Sequence, residues 1–201
     1  MEIGITIPLQ KFLQWKQPPY GDAPDLLLCW DAHRAEIDGR TFLVLVNSAN
    51  RFAAIRLMGG VDGRSLGDAA AEAVRLAMAE ARLPERLVQA YFEAAGPIAF
   101  VKTHGRKPVS GLNRVVDDIR FAVARETDPA ARFQRRLTAL ANATPGRCAA
   151  HAGRVAACAA MREDLEALAA GSQTRRRHAA RCLPSSQHAP GAAARGSQPR
   201  E

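Results

Sequence analysis

Large side chains are scarce in the second half of this 201-residue chain. Of its eleven aromatic residues, ten precede Arg125 and only Phe133 follows it. A packed core needs bulky apolar groups, so the core is expected within residues 1–124. No stretch of 18 apolar residues exists, which excludes a membrane-spanning helix. The opening Met1-Glu-Ile-Gly-Ile-Thr-Ile-Pro8 lacks a basic region followed by an apolar one, so no signal peptide is expected. The four cysteines have no regular spacing, and with no membrane segment they suit a reducing cytoplasm.

Positive charge is abundant but unevenly placed. Residues 1–124 carry a net +1 and residues 125–201 a net +7, together the +8 of the whole chain. The basic character therefore belongs to the tail and does not mark the folded domain as nucleic-acid binding.

Alternation and turn chemistry predict the strands. Ile3, Ile5 and Ile7 read as a short strand, followed by a helix through Leu9, Phe12 and Leu13. Residues 27–37 and 40–47 read as a hairpin closed by Asp38-Gly39, a dipeptide suited to a type I′ turn. That turn sets a register in which Trp30 faces Asn47 and His33 faces Val44. Phe42-Leu-Val-Leu-Val46 is apolar on both faces and reads as a central strand. Residues 51–58 and 98–103 read as further strands. Helices are predicted over 65–83, 85–95, 110–124 and about 129–142.

The expected fold is α+β, a mainly antiparallel sheet of four to five strands with four to five helices largely on one side. Residues 1–145 form the domain, with a core over 1–124 and a closing helix at about 129–142. Residues 146–171 form a weak helical segment, and 172–201 a disordered basic tail poor in large apolar groups.

The basic stretch Lys102 to Arg114 is the leading functional candidate. It places Lys102, His104, Arg106 and Lys107 ahead of a helix predicted to begin near Ser110. Cations at a positive helix end are unfavourable unless an anion lies between them. Thr103, Ser110 and Asn113 add neutral hydrogen-bonding groups. Trp30 and Asn47, paired across the hairpin, form a second candidate as a stacking and hydrogen-bonding pair. The competing reading makes Trp30 core and Asn47 a turn cap. His33, without a sequence-adjacent acid, is a lesser candidate base.

Cys148-x-x-His151, Cys158 and His178-x-x-x-Cys182 have spacings tolerable for zinc, but they sit in compositionally biased sequence. No metal site and no cofactor are expected. The tail arginines lack the interleaved aromatics that base stacking needs.

Three motifs in order carry a resemblance. They are Trp30-x-x-His33, Val46-Asn47-x-x-Asn50-Arg51, and Lys102-Thr103-x-x-Arg106 followed by Leu112-Asn113. Phe133-Gln134, Leu137 and Asn142 extend it into a closing helix. Over residues 1–145 the chain resembles a bacterial domain-of-unknown-function family. Some members carry this domain ahead of a plasmid open-reading-frame-three-like domain on mobile elements. Here a basic tail stands in that place. The resemblance implies no activity, cofactor or catalytic residue, and adds Arg51 to the candidates.

The expected function is a non-catalytic binding or accessory domain, associated with mobile DNA, that recognises a phosphate or carboxylate. Its expected partners are a phosphate-containing ligand or nucleic acid, not a membrane. The alternative is a phosphate-directed hydrolase using His33 or His104 with Lys102 and Arg106.

Overall fold

A computed structural model describes residues 1–23 and 25–181, with side chains through Gly171. Its centre is a five-stranded sheet in the order β4-β3-β2-β1-β5. The strands are β1 (Glu2–Ile5), β2 (Cys29–Ile37), β3 (Arg40–Asn47), β4 (Ala53–Leu57) and β5 (Ala99–Lys102). The hairpin has the predicted turn: Asp38 and Gly39 adopt φ of 49° and 70°. Its register follows, with Trp30 opposite Asn47 and His33 opposite Val44.

The sheet is mixed. β2, β3 and β4 run antiparallel, whereas β1 lies parallel to both β2 and β5. All four residues of β1 are buried, consistent with hydrogen-bonded neighbours on both edges.

Helices cover both faces rather than one, because β3 is apolar on both. Leu43 and Leu45 join Ile3, Ile5, Trp30 and Ala54 beneath α2 (Leu66–Glu80) and α3 (Glu85–Ala95). Phe42, Val44 and Val46 join Ala53 and Ile55 beneath α4 (Arg106–Arg120), α5 (Val123–Glu126) and α6 (Arg135–Ala143). The first helix of the chain, α1 (Ile7–Leu13), contributes the fully buried Leu9 to the first core.

Three boundaries differ from expectation. α4 begins at Arg106, four residues before Ser110, so Pro108 stands in its first turn. Proline is tolerated there because a first-turn N–H has no intrahelical partner. The closing helix α6 begins at Arg135. The residues before it extend the free edge of β4 instead, the Leu57 N–H donating to the Arg132 carbonyl and the Gln134 N–H to that of Ile55.

The third difference is at the C-terminal side. After a two-residue ladder of β6 (Pro145–Gly146) and β7 (Val155–Ala156), α7 runs from Ala157 to Arg181. Ala157, Met161 and Leu165 enter the first core, so the packed unit continues beyond residue 145. Residues 172–181, expected to be disordered, continue this helix. From residue 182 onward, that expectation concerns residues outside those described. No described helix is long and apolar enough to cross a membrane.

Candidate functional site

The register of β1 and β2 sets Glu2 beside Cys29 and Gly4 beside Asp31. Alternation places these four positions on one face of the sheet. Past β5, Thr103 and His104 turn back over Gly4. A Cβ on Gly4 would stand 2.3 Å from Asp31 Oδ1 and 2.8 Å from the Thr103 Cα. Glycine is therefore what lets His104 reach the carboxylates.

His104 lies between two acids. Its Nδ1 is 3.2 Å from Asp31 Oδ1, and its Nε2 is 3.3 Å from Glu2 Oε2. The His104 backbone N–H also donates to Asp31 Oδ1 at 3.0 Å. Glu2 and Asp31 are 9% and 1% exposed, so neither carboxylate is freely solvated. Each has further donors. Glu2 Oε1 accepts the N–H groups of Asp22 and Ala23, both at 2.9 Å, and Asp31 Oδ2 accepts the Ser48 hydroxyl at 3.2 Å.

Burial by itself lowers the His104 pKa. Hydrogen bonds to Asp31 and Cys29, together with the Asp31 charge, outweigh it and push the pKa up to about 10. Burial raises the Glu2 pKa, but the Asp22 and Ala23 N–H groups and His104 bring it below the ordinary carboxylate value. Cys29 completes the group: its buried thiol donates to the Asp25 carbonyl at 3.4 Å. Glu2, Cys29 and His104 each bring a metal-ligating atom within 4.8 Å of the others.

His104 is thus turned inward, away from the other predicted anion ligands. Lys102 lies on β5 with its Nζ 3.7 Å from the centre of the Tyr20 ring, a cation–π contact. Thr103 sits against Gly4. Arg106, Ser110 and Asn113 are exposed residues of α4. Their spacing of four and then three places them on one stripe of that helix. Ser110 lies inside the helix, and the N-cap position belongs to Gly105, without a side-chain cap.

Trp30 and Asn47 pair as predicted but do not line a cleft. The Trp30 indole N–H donates to the Tyr91 hydroxyl at 2.7 Å, which donates to the Leu27 carbonyl at 3.1 Å. Asn47 Nδ2 donates to the carbonyls of Leu27 and Cys29, and its Oδ1 accepts the Ala49 and Asn50 N–H groups. The pair is buried and fastens the turn after β3. His33 Nδ1 is 3.0 Å from the Thr6 hydroxyl, and burial lowers its pKa.

Arg51, at a left-handed φ of 65°, runs beneath Gly111 and Gly146. A Cβ on Gly146 would overlap the guanidinium at 1.7 Å. Two further motif residues serve the backbone. Asn142 exchanges two hydrogen bonds with Ala53, and Asn50 joins the Phe52 N–H to the Asp164 carboxylate of α7. His151 turns to Asp164 at 2.9 Å and to Glu163 at 3.5 Å.

Elsewhere, an open groove of about 620 Å³ is lined by residues including Glu80, Arg125, Thr127, Phe133 and Arg135. It shares no residue with the His104 cluster. Sequence reasoning named His104 but missed Glu2, Cys29 and Asp31. A signal for the last two was present, since Cys29, Asp31 and His33 alternate along one strand face and a carboxylate there requires partners.

No curated protein matches this chain. A family model described as a domain of unknown function, DUF6933, matches residues 2–150, from β1 through α6 to the segment after β6. That span holds the sheet, Asp31 and His104, and this chain belongs to the DUF6933 family.

Proposed function

We propose that this chain is a non-catalytic binding domain that recognises an anionic group, a phosphate or carboxylate, at the first turns of α4. The observation that carries the reading is the charge of that helix end. Arg106 and Lys107 occupy the first turn with no acid beside them, no side chain caps it, and neither residue makes an ion pair among the described residues. Two cations next to the positive end of a helix repel it, and an anion bound there reverses the sign. Ser110 and Asn113 continue the same exposed stripe and supply neutral hydrogen bonds.

The geometry favours binding over hydrolysis. With its pKa near 10, His104 holds its proton at neutral pH, so it is poorly suited to act as a general base. His33 has the Thr6 hydroxyl as its partner rather than an acid. In this reading the protein is cytoplasmic, serves mobile DNA, and meets the anion as part of a nucleic acid or a smaller phosphate compound.

Amide NMR titrations with inorganic phosphate and with a short oligonucleotide test it. Shifts centred on Gly105, Arg106 and Lys107 are expected. Arg106→Ala weakens binding by about 1.5–3 kcal/mol, the range for a charge-assisted hydrogen bond, without lowering stability. Shifts elsewhere, or none, overturn the proposal.

A further inference from the structure

We propose that Glu2, Cys29 and His104 form a binding site for a divalent transition metal, with zinc as the ion their donors fit. A thiolate, an imidazole and a carboxylate are a zinc-type set; magnesium and calcium take oxygen donors throughout. The three donor atoms lie within 4.8 Å of one another, and the Glu2 and His104 atoms are already 3.3 Å apart. Zinc bonds of about 2.0–2.3 Å need donors spaced at roughly 3.3–3.8 Å in a tetrahedron, so a contraction of about an ångström completes the site.

Outer contacts aim the donors inward. Asp31 Oδ1 lies against His104 Nδ1 and leaves Nε2 toward Glu2, the carboxylate–histidine arrangement that fixes a metal-binding ring. Two backbone N–H groups hold Glu2 Oε1 and leave Oε2 facing the ring. The strand register sets Glu2 directly beside Cys29, and a Cβ on Gly21 would come within 2.2 Å of Glu2 Oε2. Metal binding displaces the protons of the Cys29 thiol and of His104 Nε2, and the divalent cation then offsets the charge of the two buried carboxylates. Three protein donors leave the fourth tetrahedral position to water.

The test uses full-length protein stripped of metal with a chelator and kept reduced. Titration with Co²⁺ is expected to show one ion per chain, with a thiolate-to-cobalt charge-transfer band and the visible bands of tetrahedral geometry. Zn²⁺ displaces it with Kd below about 1 μM. Cys29→Ser abolishes the charge-transfer band, and Glu2→Gln weakens binding. Asp31→Asn keeps the stoichiometry but lowers affinity about 10- to 100-fold. A variant with serine at Cys148, Cys158 and Cys182 keeps the full signal.

Should Cys29→Ser fail to fold, Glu2→Gln, Asp31→Asn and the triple-serine protein still decide the matter. Zinc binding weaker than about 1 μM leaves the cluster as a buried ion pair only. That result overturns the site, as does a band that survives Cys29→Ser or vanishes from the triple-serine variant.

Discussion

A single oxygen of Asp31, Oδ1, accepts from both the backbone and the ring of His104, at 3.0 and 3.2 Å. The residues are 73 positions apart, one in the second strand of the sheet and one just past the last. The contact closes over Gly4 in the strand between them, so the fold and the polar cluster depend on the same bare backbone.

Gly4→Ala should therefore be costly, although Gly4 does not have a positive φ. Its new methyl would stand 2.3 Å from Asp31 Oδ1 and 2.8 Å from a backbone carbon, and the backbone cannot rotate away. Overpacking of this kind costs about 1–3 kcal/mol. Urea denaturation measures the loss. Gly59→Ala is the control, because nothing lies within 4 Å of its added carbon.

Stability of the metal-free protein should depend on pH through this cluster. The His104 pKa rises from 6.5 to about 10 on folding. Its stabilising contribution is complete below about pH 6.5 and fades as the pH climbs through about 10. Glu2 has a lowered pKa, so its contribution is present above its ordinary value of 4.5 and fades as acid protonates the folded form. Urea midpoints measured from pH 4 to 10 should fall at both ends. His104→Gln should flatten the alkaline limb, and an unchanged limb would mean that other groups cause it.

Some of this architecture is legible in local sequence. Asp38-Gly39 dictates a turn with two positive φ values, and the turn sets the Trp30–Asn47 register with no distant information. The position of β1 is different in kind. Parallel pairing with β2 and β5 depends on contacts far apart in sequence, and Ile3 and Ile5 specify burial without naming neighbours. At α4, Pro108 resembles loop punctuation although a first helical turn accommodates it. The polar cluster joins residue 2, residues 29 and 31, and residue 104, and only the assembled sheet brings them together. The buried amide residues among the family-like motifs, Asn47, Asn50, Gln134 and Asn142, proved to be fasteners of backbone. Buried Asn and Gln side chains stay where strand ends need hydrogen bonds, as Asn47 and Asn142 show.

Helix α7, which composition placed outside the domain, should contribute to its stability. Its large apolar residues are few, but Met161 is fully buried and Leu165 is 1% exposed, and both belong to the core beneath α2 and α3. Asn50 also reaches Asp164 at 2.8 Å, tying the turn after β3 to this helix. Met161→Ala removes a buried side chain of a class whose loss costs about 2–5 kcal/mol. At about 2–4 °C per kcal/mol for a chain of this size, the melting temperature should drop by roughly 4–20 °C. Leu76→Ala, on an exposed part of α2, should cost far less. Truncation after Pro145 should destabilise more than either, since it removes Ala157, Met161 and Leu165 together and uncovers the apolar surface they shield. A truncated protein that melts within two or three degrees of the full chain would show that α7 rests on the domain without stabilising it, and Met161→Ala would then be equally silent.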